Sequence, residues 1–158
     1  MRNKNQSGFT LIELLVVIAI IGLLASVVLL ALNSARAKSR DAKRLADVRQ
    51  LASAFELFFN DKNSYPTSGY MGTAAVTLSN TGMTTAGLVP TYIGLMPVAP
   101  TPADGNCGTG ATWGANDYNY AVPTGSNTVS SYTLTFCLGG AAGSYPAGPH
   151  TLTPAGIQ

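Results

Sequence analysis

Gly8-Phe9-Thr10-Leu11-Ile12-Glu13 leads into a run, Leu14 to Leu32, that contains no charged residue. Only Gly22 and Ser26 interrupt its Leu, Val, Ile and Ala side chains. At about 1.5 Å per residue, a helix from Phe9 to Leu32 reaches about 36 Å, enough to cross a hydrocarbon core of about 30 Å. A carboxylate inside such a segment is expensive. Insertion scales put a central acidic residue at about 2.5–3.5 kcal/mol, so Glu13 reads as a functional group rather than an accident. The bland alternative is a snorkelling side chain at the membrane edge. Phe9 lies one helical turn before this carboxylate and becomes a position of interest with it.

Gly8-Phe9, Glu13 at fixed spacing, a short basic leader and a membrane-length apolar run together resemble the processing signature of bacterial type IV prepilins and type II secretion pseudopilins. The resemblance implies that a membrane peptidase cuts after Gly8 on the cytoplasmic side and methylates the new N-terminal Phe9. It implies that Glu13 assists assembly of the helix into a filament. It covers residues 1–62 most strongly, with Tyr65-Pro66-Thr67 and the stretch Leu88 to Pro97 also similar to that family. Many members carry a helix-breaking proline near the position of Leu30, which this chain lacks, leaving Gly22 as the weak point of the apolar half.

Residues 1–8 form a polar leader with two positive charges, Arg2 and Lys4. A cleaved secretory peptide also begins this way, but Glu13 would sit inside its apolar core. Its best small-residue cleavage candidates, around Ser34-Ala35, come late. Charged residues make up only 10% of the chain, and after Lys62 there is no Lys or Arg. The net +2 is partly leader: without residues 1–8, seven basic residues face seven acidic ones. Global charge therefore points neither to nucleic acid nor to an acidic substrate.

Beyond the apolar run, Leu45, Val48, Ala52, Phe55 and Phe59 recur at 3,4,3,4 spacing, with Leu51 and Phe58 widening the stripe. Asp41, Lys43, Arg44, Asp47 and Arg49 fall on the other side, with Asp41–Arg44 and Lys43–Asp47 as helix neighbours. No Pro or Gly occurs between Ala25 and Lys62, so both halves are expected to form one continuous helix, ending near Asn60 to Ser64 ahead of Tyr65-Pro66. Residues 67–116 read as turn-punctuated structure without a second helix. Tyr118, Tyr120 and Val122 alternate. Tyr132, Leu134, Phe136 and Leu138 then alternate with Thr133, Thr135 and Cys137, the period of a half-buried strand. Gly139-Gly140 follows as a turn, and His150 to Thr153 is a candidate third strand. The expected fold is α+β: a long N-terminal helix packed on a small antiparallel sheet. The domain reading is a cleaved leader at 1–8, a helix at 9–62 with its membrane part at 9–32, and a β-rich head at 63–158.

Positive charge alone does not orient the segment. Arg36, Lys38, Arg40, Lys43 and Arg44 outnumber the leader's cations, and a positive-inside count would put that flank in the cytoplasm. The exported character of residues after 63 and the implied cytoplasmic leader favour the opposite arrangement, N-terminus in and C-terminus out. The same basic cluster reads first as a solvated helix face. Binding of anionic headgroups or DNA is the sharper reading, and no aromatic interleaving supports nucleic acid.

Cys107 and Cys137 read as a disulfide in an oxidising compartment, since one histidine and no close Cys–Cys spacing make a poor zinc site; free buried thiols are the alternative. Asp104, Asn106, Asp117 and Asn119 offer loop oxygens, and some pseudopilins hold calcium there. Without EF-hand spacing, loop capping ranks above calcium. His150 reads as a strand-end residue. No Gly-x-Ser-x-Gly, Walker or zincin pattern occurs, and no catalysis or cofactor is expected.

The chain thus reads as a structural filament subunit, held in the inner membrane and then assembled with identical subunits into an extracellular or periplasmic filament. Its implied partners are the prepilin peptidase, an inner-membrane assembly platform and the bilayer. The alternatives are a pseudopilin of a type II secretion or DNA-uptake machine and, from another class, a membrane-anchored calcium- or ligand-binding module.

Overall fold

The computed structural model describes residues 9–67, 75–108, 117–123 and 129–158. Helix α1 runs without a break from Leu11 to Lys62, through Gly22 and Leu30. It ends where Asn63 takes a left-handed conformation (φ 53°) and donates its N–H to the Phe59 carbonyl at 2.7 Å. An asparagine tolerates that conformation better than most side chains, and Tyr65-Pro66 then prevents resumption of the helix.

The chain divides into two compact units, Met1–Arg36 and Ala37–Gln158. In the first, the large side chains of α1 are exposed, from 80% at Leu11 to 42% at Leu32. The helix is long and apolar enough to cross a membrane by length and composition.

In the second unit, the rest of α1 packs on a five-stranded antiparallel sheet whose strands follow chain order. These are β1 Val76–Thr77, β2 Asn119–Ala121, β3 Thr133–Leu138, β4 Gly148–Thr153 and β5 Gly156–Ile157. The expected alternation is realised in part in and beside β3: Tyr132, Leu134, Phe136 and Leu138 are buried, Thr133 is exposed and Cys137 half-buried, but Thr135 is buried as well, its hydroxyl donating to the Asn119 carbonyl at 3.3 Å. Register places Tyr120 opposite Leu134 and Phe136 opposite His150. Val48, Leu51, Phe55 and Phe58 of α1 meet this face, with Phe55 ring-to-ring at 5.0 Å from Tyr120 and 4.9 Å from Tyr132. Each such side chain fully buried contributes about 1.5–3 kcal/mol.

Two features depart from the sequence reading of residues 67–116. A short helix, α2 Asn80–Thr85, is present, capped by the Ser79 hydroxyl accepting from the Gly82 N–H at 3.2 Å. A one-turn 3-10 helix follows at Gly105–Gly108. The α2 composition, Asn-Thr-Gly-Met-Thr-Thr, is poor in helix formers, so local propensity concealed it. Burial of Met83 in the core and the serine cap hold it in place.

Candidate functional site

Helix α1 begins with a reciprocal cap. The Glu13 carboxylate accepts from the Thr10 backbone N–H at 2.8 Å and from the Thr10 hydroxyl at 2.7 Å. The Glu13 N–H donates back to the Thr10 hydroxyl oxygen at 3.3 Å. This is the Thr-x-x-Glu capping box, which satisfies donors that the first helical turn leaves open. Thr10-Leu11-Ile12-Glu13 carries the sequence signal for it, so the carboxylate has a place in the helix cap besides its charge. Phe9 stands just outside the helix and is 88% exposed, so the peptide bond before it adjoins the start of regular structure. Gly8 itself lies outside the described residues.

A second constellation departs from the pattern expected of a solvated helix face. Asp41, Arg44 and Asp47 are buried instead of lying on a solvated side. The Asp41 carboxylate accepts from Gly139 N–H at 2.9 Å, Gly140 N–H at 2.8 Å and Arg44 Nη1 at 2.7 Å. Arg44 also donates to the carbonyls of Pro100 (2.8 Å) and Pro102 (3.2 Å). Arg40 forms a two-pronged pair with Asp104, both contacts at 2.6 Å. The Arg40 hydrogen bond holds the Asp104 carboxyl below its ordinary value, and the carboxylate raises that of Arg40 in return. Asp47 accepts from the Tyr118 hydroxyl at 2.9 Å instead of pairing with Lys43. Burial, and then that hydrogen bond, pushes the Tyr118 hydroxyl well above its ordinary value. Charges in a sequence default to the solvated face. These three turn inward because loops some 60 to 100 residues away bring their partners. Arg36, Lys38 and Lys43 do remain exposed.

Cys107 and Cys137 are joined in a disulfide that ties the 3-10 turn to β3. Of the four loop oxygens, Asp104 is committed to the arginines and the Asn119 side chain accepts from the Thr77 hydroxyl at 3.1 Å. Asp117 is exposed, and the Asn106 side chain lies outside the described residues. Among the described residues no group of three or more His, Cys, Asp and Glu is placed to hold a metal. His150 is buried inside β4, with Nε2 2.9 Å from the Pro146 carbonyl and Nδ1 3.3 Å from that of Gln158, so it is a packed sheet residue.

The family model described as "Prokaryotic N-terminal methylation motif" matches residues 3–29. The chain is 41% identical over 68 residues to type II secretion system core protein G of Aeromonas hydrophila, a match covering 43% of this chain and about half (48%) of that relative. Core protein G of Vibrio cholerae is 31% identical over 131 residues, 83% of this chain and 81% of the relative. The type IV major pilin protein PilA of Myxococcus xanthus is 36% identical over 63 residues, 40% of this chain and 29% of the relative. No solved structure matches the chain. With its capped, exposed apolar helix and its sheet head, the chain belongs to the family of type IV pilins and type II secretion pseudopilins.

Proposed function

We propose that this chain is a non-catalytic subunit of a helical, pilus-like filament. It is cut between Gly8 and Phe9 by a prepilin peptidase, methylated on Phe9, held in the inner membrane with its N-terminus in the cytoplasm, and drawn into the filament by an assembly platform. The observation that carries this reading is the pairing of Gly8-Phe9 and Glu13 with an apolar helix left uncovered in the single chain. Lipid covers that surface before assembly and identical subunits cover it afterwards. In the hydrocarbon, every backbone group of the helix is satisfied internally, which is why a continuous helix suits both surroundings.

The secretion-pseudopilus form has its own support, since two relatives similar over more than four-fifths of this chain are named type II secretion system core protein G. In that form the filament is periplasmic and belongs to a type II secretion system; in the pilus form it extends from the cell surface. Mass analysis of the membrane-held or filament form tests the common core, with a chain starting at monomethylated Phe9 expected. An intact Met1 terminus, or a start near Ala35, would overturn it. Imaging of labelled subunits in sheared-cell preparations then separates long surface filaments from short periplasmic ones.

A further inference from the structure

Residues 100–108 have little regular structure of their own. One 3-10 turn occupies Gly105–Gly108, and the Cys107 N–H donates to the Asp104 carbonyl at 3.3 Å. Among the described residues, every hydrogen bond that leaves this segment ends on Arg40 or Arg44 of α1. Its second tie is covalent, the Cys107–Cys137 bridge to β3. The two ties are neighbours in the chain. Asp104 precedes Cys107 by three residues, and Gly139 and Gly140, whose N–H groups hold Asp41, follow Cys137 by two and three. The strands of this junction also touch, since a Cβ on Gly105 would collide with the Gly139 carbonyl.

The Asp41 and Arg44 side chains are each only 2% exposed. Buried charges are tolerated while their partners stay in place. Residues 100–108 supply three partners of Arg44, namely the Pro100 and Pro102 carbonyls and the Asp104 carboxylate. A segment without a ladder of its own keeps such groups in place only when its ends are held, and the bridge holds one end. Two ties on one short segment are coupled, and the coupling is reciprocal: whatever the bridge adds to the arginine contacts, those contacts add to the bridge.

We propose that the Cys107–Cys137 bridge is a redox latch for the buried charges of α1. Oxidation closes residues 100–108 over Arg40 and Arg44, and reduction releases them and lets water reach Asp41 and Arg44. Closing takes a disulfide-bearing oxidant such as oxidised glutathione. One cysteine thiolate attacks that disulfide and expels a thiol, and the second thiolate attacks the mixed disulfide and expels the other. One S–S bond forms in the protein as one breaks in the oxidant, and two electrons and two protons leave with the two thiols released. The latch lies wholly within the second unit and does not depend on the filament reading above.

The full chain in detergent, equilibrated over a series of glutathione ratios and then alkylated for mass analysis of free thiols, tests the coupling. Arg40→Gln, which breaks the two-pronged pair with Asp104, should be half-reduced at a ratio of squared reduced to oxidised glutathione at least about fivefold lower than wild type. Tyr65→Phe removes the hydrogen bond to Glu56 near the other end of the helix and should leave that ratio unchanged. Equal ratios for Arg40→Gln and wild type, or equal shifts in Arg40→Gln and Tyr65→Phe, would make the bridge a general staple and overturn the proposal. Amide hydrogen exchange supplies a second readout. On reduction of the wild-type chain, the Gly139 and Gly140 N–H groups should exchange at least about tenfold faster, while the Thr151 N–H, bonded to the Gln158 carbonyl, keeps its protection. Unchanged exchange at both glycines would overturn the latch, and so would loss of Thr151 protection alongside them, since reduction would then unfold the sheet and not open one junction.

Discussion

At the scale of single residues, the second unit concentrates its polar energetics on Asp41. That carboxylate accepts two glycine N–H groups and the nearest arm of a buried guanidinium. Asp41→Ala strands the Arg44 charge and two N–H donors away from water, a change that costs about 3–5 kcal/mol for one member of a buried pair. Asp41→Asn keeps one acceptor but presents an amide to N–H donors, so it should fall between. Urea unfolding of the full chain in detergent measures both, and an Ala variant within about 0.5 kcal/mol of wild type would contradict the assignment. Asp104 supplies a pH signature. Its folded-state value is depressed by Arg40, so its contribution is complete above the ordinary carboxylate value near pH 4 and fades as pH falls through the lowered one. Asp104→Asn should therefore be less stable near neutrality and lose less on acidification. Melting temperatures from pH 6 down to pH 2 follow this, and parallel curves for the two proteins would show that the carboxylate carries no linkage.

At the scale of elements, the loop ending in the 3-10 turn crosses β3's end at very close range. A Cβ on Gly139 would collide with the backbone and Cβ of Asp104, whereas one on Gly140 would meet only the Asp41 Oδ2 at an ordinary 3.5 Å. Gly139→Ala should thus cost about 1–3 kcal/mol through forced displacement of the loop, and Gly140→Ala no more than about 0.5 kcal/mol. Equal denaturation midpoints for the two variants would argue against so tight a crossing. The same region shows where sequence reading stops. The Val48–Phe55 stripe and the Tyr132–Leu138 alternation could be read because period alone reports a buried face. The inward turn of Asp41, Arg44 and Asp47 could not, because their partners Gly139, Asp104 and Tyr118 are distant in sequence and nothing local marks them. The Thr10–Glu13 cap was readable from four adjacent residues. Helix α2 was hidden because its stability comes from Met83's burial and Ser79's cap, neither of which composition records.

At the scale of the whole molecule, function turns on how one carboxylate fares when lipid is exchanged for neighbouring helices. On the proposed reading, cleavage after Gly8 would free a basic amine on Phe9, and a single methylation would leave it basic. Within a filament core that amine and Glu13 both lose water. An unpaired buried charge is strongly unfavourable, and an opposite charge a few ångströms away offsets much of the penalty. The structure adds a second role, since Glu13 also closes the cap with Thr10. The two roles separate by substitution. Glu13→Ala removes cap and charge, Glu13→Asp keeps the charge with a shorter reach, and Glu13→Gln keeps an acceptor for the Thr10 donors while removing the charge. If charge governs assembly, Glu13→Gln should resemble Glu13→Ala: still cleaved, abundant in the membrane pool, and poor in sheared filaments. Glu13→Asp should then lie between Glu13→Ala and wild type. If the cap governs, Glu13→Gln should assemble like wild type, and Thr10→Val, which removes the hydroxyl from the cap, should be the variant that fails. Comparing cleaved pool with sheared filament for all four decides between them. Normal filaments from Glu13→Ala would remove the carboxylate from assembly altogether, and loss of cleavage would reassign it to recognition by the peptidase.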